Sequence, residues 1–337
     1  MDVWLNRRGF LVGAVGLGGA VLLGACGDDD SGGTSPDDQS GDSTDHGASG
    51  ELTHANLGLL PITDVAPLFL GRDQGIFADH GLEIEPKFAE GGAVILPSVL
   101  SGEFDIGFSN IVSLLLLQSQ GQEFTILAGG GLTATGDDPD YSQMIVLEDS
   151  PLETLADLSG KKVAINTLNN ALQIVVKAAV DKAGGDPDSI DFREFPFPEM
   201  AAVLQAGEVD AIQHNEPFQT ILQKEGGVRT LGQPFVDVAP GEVLAFYFVK
   251  GSDADSDLAT GFRDGMAEAN AFAAGHEAEA RAIIPEYTEI TPEIAADVIL
   301  PPWAEDSVKR SSLEVYAELM TQYGLAEETP DFEALLP

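Results

Sequence analysis

The chain has 337 residues, 44% of them apolar, and its 16 basic residues stand against 56 acidic ones for a formal charge of −40. That length and apolar share can fill the cores of two lobes, while the charge excludes a nucleic-acid grip, which needs clustered Lys and Arg, and opposes unaided contact with anionic lipid. A single cysteine, Cys26, and five scattered histidines exclude an internal disulfide framework and a thiolate zinc cluster, so no metal and no cofactor is expected.

In chain order, Asn6-Arg7-Arg8-Gly9-Phe10-Leu11 sets adjacent arginines before an apolar run from Phe10 to Ala25. The run is about 16 residues, short of the ~20 that cross a bilayer. A positive flank, a short apolar stretch and small residues at its end make residues 1–25 an expected export signal. Leu23-Gly24-Ala25-Cys26 resembles the lipobox of bacterial-type lipoproteins. That resemblance implies a diacylglycerol anchor on the Cys26 sulfur and cleavage just before it. Arg7-Arg8 followed by Phe10-Leu11 resembles a twin-arginine export signal, with Asn6 where Ser or Thr is usual, so the general secretory route stays open. Residues 26–50 are rich in Gly, Ser, Thr and Asp, and include seven aspartates from Asp28 to Asp45. Such a segment buries too little apolar surface to offset its ordering entropy and reads as a disordered acidic tether.

From Glu51 onward short apolar runs alternate with helical patterns. Strands are expected at Leu57–Leu60, Leu82–Phe88 and Phe104–Phe108, with helices at Pro67–Asp79 and Ile95–Ser101 between them. The second half repeats the cadence, with strands at Lys162–Ile165, Ile190–Phe195 and Val209–Gln213 and helices at Ala171–Ala183 and Pro198–Ala206. Alternation of this kind predicts α/β lobes, each built on a largely parallel, doubly wound sheet. An internal echo supports a relation between the halves: Ser101-Gly102-Glu103-Phe104-Asp105-Ile106 reappears as Ala206-Gly207-Glu208-Val209-Asp210-Ala211. In both, a helix ends, glycine turns the chain and Gly-Glu-x-Asp leads into a buried strand. The tail from Asp257 to Leu336 reads as helical, with Leu258, Phe262, Met266 and Phe272 near helical spacing. Ligands of open α/β sheets sit beyond the carboxyl ends of strands, so the polar ends of two facing lobes would line one cleft.

The residues that carry a family likeness are Pro61-Ile62-Thr63-Asp64, the run Gly75 to Leu82, the run Leu100 to Asp105, the run Leu158 to Ala164, Ala206 to Asp210, and Asn215-Glu216-Pro217-Phe218. In this order they resemble the SsuA/THI5-like, NMT1-type solute-binding proteins over roughly Leu52 to Leu336. The resemblance implies the type II periplasmic-binding-protein fold, two doubly wound lobes joined by two crossover strands. One lobe would hold residues 51–140 and 239–337, the other 141–238, with crossings near Tyr141–Leu147 and Val243–Val249. It also implies the extracytoplasmic solute-binding component of an ABC importer, a monomer that captures a small molecule and delivers it to a membrane permease. By that likeness the contacts lie on loops after strands: Ile62, Thr63 and Asp64; Gly91, Gly92 and Ala93; Ser109 and Asn110; Thr167, Asn169 and Asn170; Asn215 and Glu216; with Tyr247 to cap an aromatic ligand. Thr63, Asp64 and Asn169 are equally readable as helix caps, and Glu216 as a helix-end acceptor.

None of these loops carries Arg or Lys, whereas Asp64 and Glu216 place negative charge there. Nitrate or a sulfonate would call for cationic or strong donor groups, so the expected solute is a nitrogenous organic molecule resembling a thiamine-precursor pyrimidine. A nitrate, sulfonate or taurine binder of the same family, or a biosynthetic enzyme of the same fold, are the alternatives. An enzyme is not expected: no acid–base pair, nucleophile–base arrangement or phosphate loop stands out, and Gly129-Gly130-Gly131 lacks the Lys of a P-loop. The expected location is the outer face of the cell membrane, through the lipid on Cys26.

Overall fold

The computed structural model describes residues 51–89, 91–304 and 308–336, so the export signal, Cys26 and the tether lie outside the described residues. Among the described residues ten strands form two five-stranded sheets. The first sheet has the order β2-β1-β3-β10-β4, from β1 (Thr53–Leu59), β2 (Leu82–Phe88), β3 (Ile106–Asn110), β4 (Phe124–Gly129) and β10 (Ala245–Lys250). The second has the order β7-β6-β8-β5-β9, from β5 (Ser142–Leu147), β6 (Lys162–Ile165), β7 (Asp191–Glu194), β8 (Ala211–Asn215) and β9 (Val228–Gly232). β1 pairs in parallel with β2 and β3, and β6 with β7 and β8, while β10 and β5 run antiparallel to both their neighbours. The two sheets therefore share one plan, each completed by a strand that arrives directly from the other.

Burial follows strand position. The inner strands β3, β5, β8 and β10 are almost wholly buried, as expected where helices cover both faces of a sheet; edge strand β4 is buried too, because tail residues Asp257–Gly275 and Glu333–Leu335 pack on it. Edge strand β2 alternates instead, with Leu82 and Ile84 inside and Glu83 and Glu85 in water. The covering helices are α1 (Ala66–Asp73), α2 (Ile76–Asp79), α3 (Gly92–Ser101), α4 (Ile111–Ser119), α5 (Ala171–Lys182), α6 (Phe197–Gln205), α7 (Phe218–Glu225) and α8 (Pro234–Val238). The tail is helical as read, in α9 (Asp257–Gly275), α10 (Glu277–Ile283), α11 (Pro292–Ala295) and α12 (Arg310–Gln322). Phe262 and Met266 on α9 are fully buried, and this helix packs on α1 and α2.

Three expectations shift. The single helix expected over Pro67–Asp79 is two, because Gly75 at φ 80° breaks it between α1 and α2. The echoed strands each begin two residues later than the apolar pattern suggests, at Ile106 and Ala211, because Gly-Glu-x-Asp is spent on the turn. In both copies glycine is left-handed, at φ 80° for Gly102 and 69° for Gly207. The closing bonds also match: Glu103 N–H to Ser98 O at 2.9 Å and Glu208 N–H to Val203 O at 3.0 Å. Finally, the crossings expected near 141–147 and 243–249 resolve into sheet strands, since residues 142–147 and 245–250 are β5 and β10, each entering one sheet from the other. The chain passes between sheets just before each, and the two passes are stitched together by a Leu132–Val243 bridge and by Thr133 N–H donating to Glu242 O at 3.0 Å.

Candidate ligand-binding site

The polar ends of β1, β3, β6 and β8 converge where loops of the two sheets meet. After β1 the chain runs through Leu60-Pro61-Ile62 into a short 3-10 turn, Thr63–Val65. Thr63 N–H donates to the backbone oxygen of Glu216, from the other sheet, at 3.3 Å. At the end of β3, Asn110 caps α4: its Oδ1 accepts from Ser113 N–H at 3.1 Å. The same oxygen accepts from Ala171 N–H at 3.3 Å, the first residue of α5. One asparagine thus satisfies the starts of two helices that belong to different sheets.

Between these loops lies a pocket of about 40 Å³, room for on the order of three water-sized groups. From the first sheet's side it is lined by Leu60, Ile62, Asp64, Phe108, Ser109, Asn110 and Ser113. Asn166, Thr167, Leu172, Phe197 and Asn215 line the second sheet's side, with Leu244 and Ala245 where β10 begins. Among the described residues Asp64 is the only ionisable side chain on this wall. It is 1% exposed, and burial pushes its carboxyl up to about 7; its own backbone N–H pulls the other way, Asp140 adds to the rise and Tyr141 opposes it. Asp64 Oδ2 and Ser109 Oγ, buried atoms of residues that line the wall, have no partner within hydrogen-bond distance among the described residues, and neither do Thr63 Oγ1, Tyr247 OH and Tyr141 OH, the last being the hydroxyl turned toward Asp64. Buried polar atoms without partners call for a physical reason, and a site built for an absent polar molecule supplies one.

The expected residues divide. Ile62, Asp64, Ser109, Asn110, Thr167 and Asn215 line the pocket. Gly91 does not line the pocket but lies beside Thr167, where a Cβ would stand 3.7 Å from Thr167 Oγ1; Gly92 and Ala93 follow as the first residues of α3. Asn170 caps α5 through Gln173 N–H at 3.2 Å and donates to Asn166 Oδ1 at 2.8 Å. Asn169 takes the left-handed turn before it, at φ 54°. Tyr247 is fully buried against Phe108, ring centroids 4.7 Å apart, and its ring stands behind the wall.

Glu216 does not line the pocket. Its Oε1 accepts from Gln219 Nε2 at 2.9 Å, Thr220 Oγ1 at 2.7 Å and Ile299 N–H at 3.1 Å, and its Oε2 from Thr220 N–H at 3.3 Å. It clamps the start of α7 to the segment after α11. Burial still pushes its carboxyl up to about 7, against the pull of Thr220 and Ile299. Sequence reasoning passed over Asn166, although it directly follows the expected strand Lys162–Ile165 and the strand-end rule reaches it. Phe197, Leu60 and Ser113 carry no comparable signal.

Known proteins are similar to this chain in sequence and fold. A family model described as NMT1/THI5 like matches residues 62–279. The bicarbonate-binding protein CmpA of Synechococcus elongatus is 29% identical over 244 residues, 66% of this chain and 54% of that protein. The chain therefore spans about half the length of this relative. Among solved structures, the ligand-binding component of an ABC-type import system from Staphylococcus aureus superposes with a TM-score of 0.73 at 16% identity, over 85% of this chain and 96% of that one. The periplasmic aliphatic sulphonate-binding protein SsuA from Escherichia coli gives 0.68 at 20% identity, over 84% and 96%. These likenesses show the type II periplasmic-binding-protein fold.

Proposed function

This chain belongs to the NMT1/THI5-like family, and from that premise we propose that it is the solute-binding component of an ABC-type importer, closing two lobes on a small molecule. The observation that carries this reading is the pocket between the carboxyl ends of both sheets, walled by polar side chains whose buried oxygens lack partners. The relatives described above are binding proteins, which argues for capture and against catalysis. In this reading the two passes around Leu132 and Val243 are the hinge. Residues 51–140 with 239–337 move as one lobe and 141–238 as the other. A permease in the membrane receives the solute, and the monomeric protein is held at the outer face of the membrane by lipid on Cys26.

The solute is a small nitrogenous molecule, because an N–H group turned to Asp64 meets an unpartnered carboxylate oxygen whereas an anion meets like charge. The pocket is too small for a whole thiamine-precursor pyrimidine, so only the amino-bearing edge of such a ring would enter it. A second reading, a small oxyanion, is favoured by the names of the relatives, which bind bicarbonate or sulphonates. A protonated Asp64 would then donate to the anion. Thermal unfolding against aminopyrimidines, thiamine, riboflavin, nitrate, bicarbonate and taurine separates these. A solute at ~100 times its Kd should add about 2.7 kcal/mol. Failure of every compound to stabilise protein stripped of carried-over ligand would count against the reading.

A further inference from the structure

Next to the polar pocket the cleft widens into an apolar groove of about 830 Å³, well within the range of small-molecule sites. A hollow of about 300 Å³ adjoins both. It shares Leu60 and Phe197 with the pocket, and Pro61, Phe88, Pro198 and Phe218 with the groove, so the three lie side by side along common walls. The groove is walled by two aromatic groups drawn from the two sheets' sides. On one, Phe69 stacks on Tyr287 at 4.2 Å and lies 5.9 Å from Phe88. On the other, Phe218 stacks on Phe197 at 6.0 Å and on His214 at 5.7 Å.

Two further observations say what this cleft suits. Phe88 is 46% exposed, an apolar surface left open at the mouth of a cleft rather than scattered on the outside. The ionisable groups among the described lining residues, apart from buried His214 and the phenol of Tyr287, are all carboxylic acids: Glu199, Glu225, Glu286 and Glu289 around the groove and Asp64 in the small pocket. An acidic rim, π faces along the walls and an unpartnered carboxylate oxygen in the pocket all favour positive charge, and the walls favour apolar bulk.

We propose that the solute is an organic amine whose ammonium group pairs with Asp64 in the small pocket while its aromatic or aliphatic body lies in the groove between Phe88, Tyr287, Phe197 and Phe218. The inference rests on the solute-binding reading and names the substrate class of that site. The pocket admits an ammonium head but no ring, and the groove takes the ring but offers it no charge partner at depth. Head and tail selectivity are thereby assigned to different residues.

Calorimetric titration of the full-length protein with four probes tests this: 2-phenylethylamine, its anionic counterpart 3-phenylpropionate, the tail-less ethylamine, and ethanesulfonate. The expected result is 2-phenylethylamine binding at least about tenfold more tightly than each of the others, a margin of about 1.4 kcal/mol. Asp64→Asn should erase the preference for amine over acid. Phe88→Ala, at an exposed position where folding is safe, should weaken 2-phenylethylamine about tenfold and leave ethylamine unchanged. Tighter binding of 3-phenylpropionate or ethanesulfonate than of either amine overturns the amine assignment and leaves the solute-binding reading standing. Equal binding of ethylamine and 2-phenylethylamine overturns the role of the groove. Absence of binding by all four overturns this inference alone, because the unfolding panel of other solutes tests the solute-binding reading separately.

Discussion

Asp64 and Glu216 sit on either side of the same contact, where Thr63 N–H reaches the backbone oxygen of Glu216. Both are buried, at 1% and 0% exposure, and burial pushes both carboxyls up to about 7. Their hydrogen bonding is opposite. Glu216 accepts from Gln219, from the hydroxyl and N–H of Thr220, and from Ile299, whereas Asp64 Oδ2 has no partner within hydrogen-bond distance among the described residues and only its own N–H and the Tyr141 hydroxyl face that carboxyl. Depth and proton affinity alone would rank these groups as equals. The count of donors separates a carboxylate that holds the fold from one held open for something else.

The sharpest way to break that comparison is pH. The folded Asp64 keeps its proton up to about 7, while in the unfolded chain it ionises near 3.8. Across that window the native state binds the extra proton, so this group's contribution to stability falls as pH rises and is fully lost above about 7. Asp64→Asn cannot ionise and should therefore be more stable than the parent at pH 8. The margin is up to about 4 kcal/mol, at roughly 1.4 kcal/mol per pH unit of separation, and should shrink to about 1 kcal/mol at pH 4.5. Urea unfolding at the two pH values measures it. A margin that does not change with pH would show that Asp64 is ionised in the fold.

Glu216, its carboxyl also raised to about 7, has the same sign of pH dependence but differs in what its removal costs. Glu216→Ala strands buried donors on Gln219, Thr220 and Ile299 and should cost about 3 kcal/mol. Glu216→Gln, which keeps an acceptor oxygen, should cost less. In the fraction that stays folded, solute affinity should be unaltered in both, because this side chain does not line the pocket. Loss of affinity in a well-folded Glu216→Gln would make it a ligand contact after all.

What could be read from sequence follows the range of the interactions involved. The echo at Gly102 and Gly207, the strand-end asparagines Asn110 and Asn215, and the absence of Arg or Lys from the cleft loops all depend on neighbours close in the chain, and periodicity exposes them. The clamp role of Glu216 depends in part on Ile299, 83 residues on, and no local pattern announces it. Phe197 and Leu60 were passed over because an apolar residue beside a strand reads as core until the opposite wall is known. α4 and β4 follow one another as apolar runs, Ile111 to Leu117 and Phe124 to Ala128, in which neither the helical nor the strand period stands out.

The smallest expected effect concerns the echo itself, where the two halves match in plan and differ in burial and in the number of bonds that the aspartate accepts. Asp105 Oδ2 accepts from Asn56 N–H at 2.8 Å and from Asn56 Nδ2 at 3.3 Å, and Asp210 Oδ2 accepts from Lys162 N–H at 2.8 Å. Each aspartate thus ties the start of one parallel strand to its neighbour, and each backbone N–H returns the bond, to Asn56 O at 2.9 Å and Lys162 O at 2.8 Å. The Asp105 pair is partly buried and doubled, whereas the Asp210 bond is exposed. Asp105→Ala should therefore cost about 1.5 kcal/mol and Asp210→Ala about 0.5 kcal/mol, since water replaces an exposed acceptor readily and a buried one poorly. The two share no partner, so the double variant should lose the sum within a few tenths of a kcal/mol. Denaturant midpoints of the three variants decide it. Equal losses would mean that burial does not set the value of this turn, and a loss from neither would leave glycine alone as the reason the motif recurs.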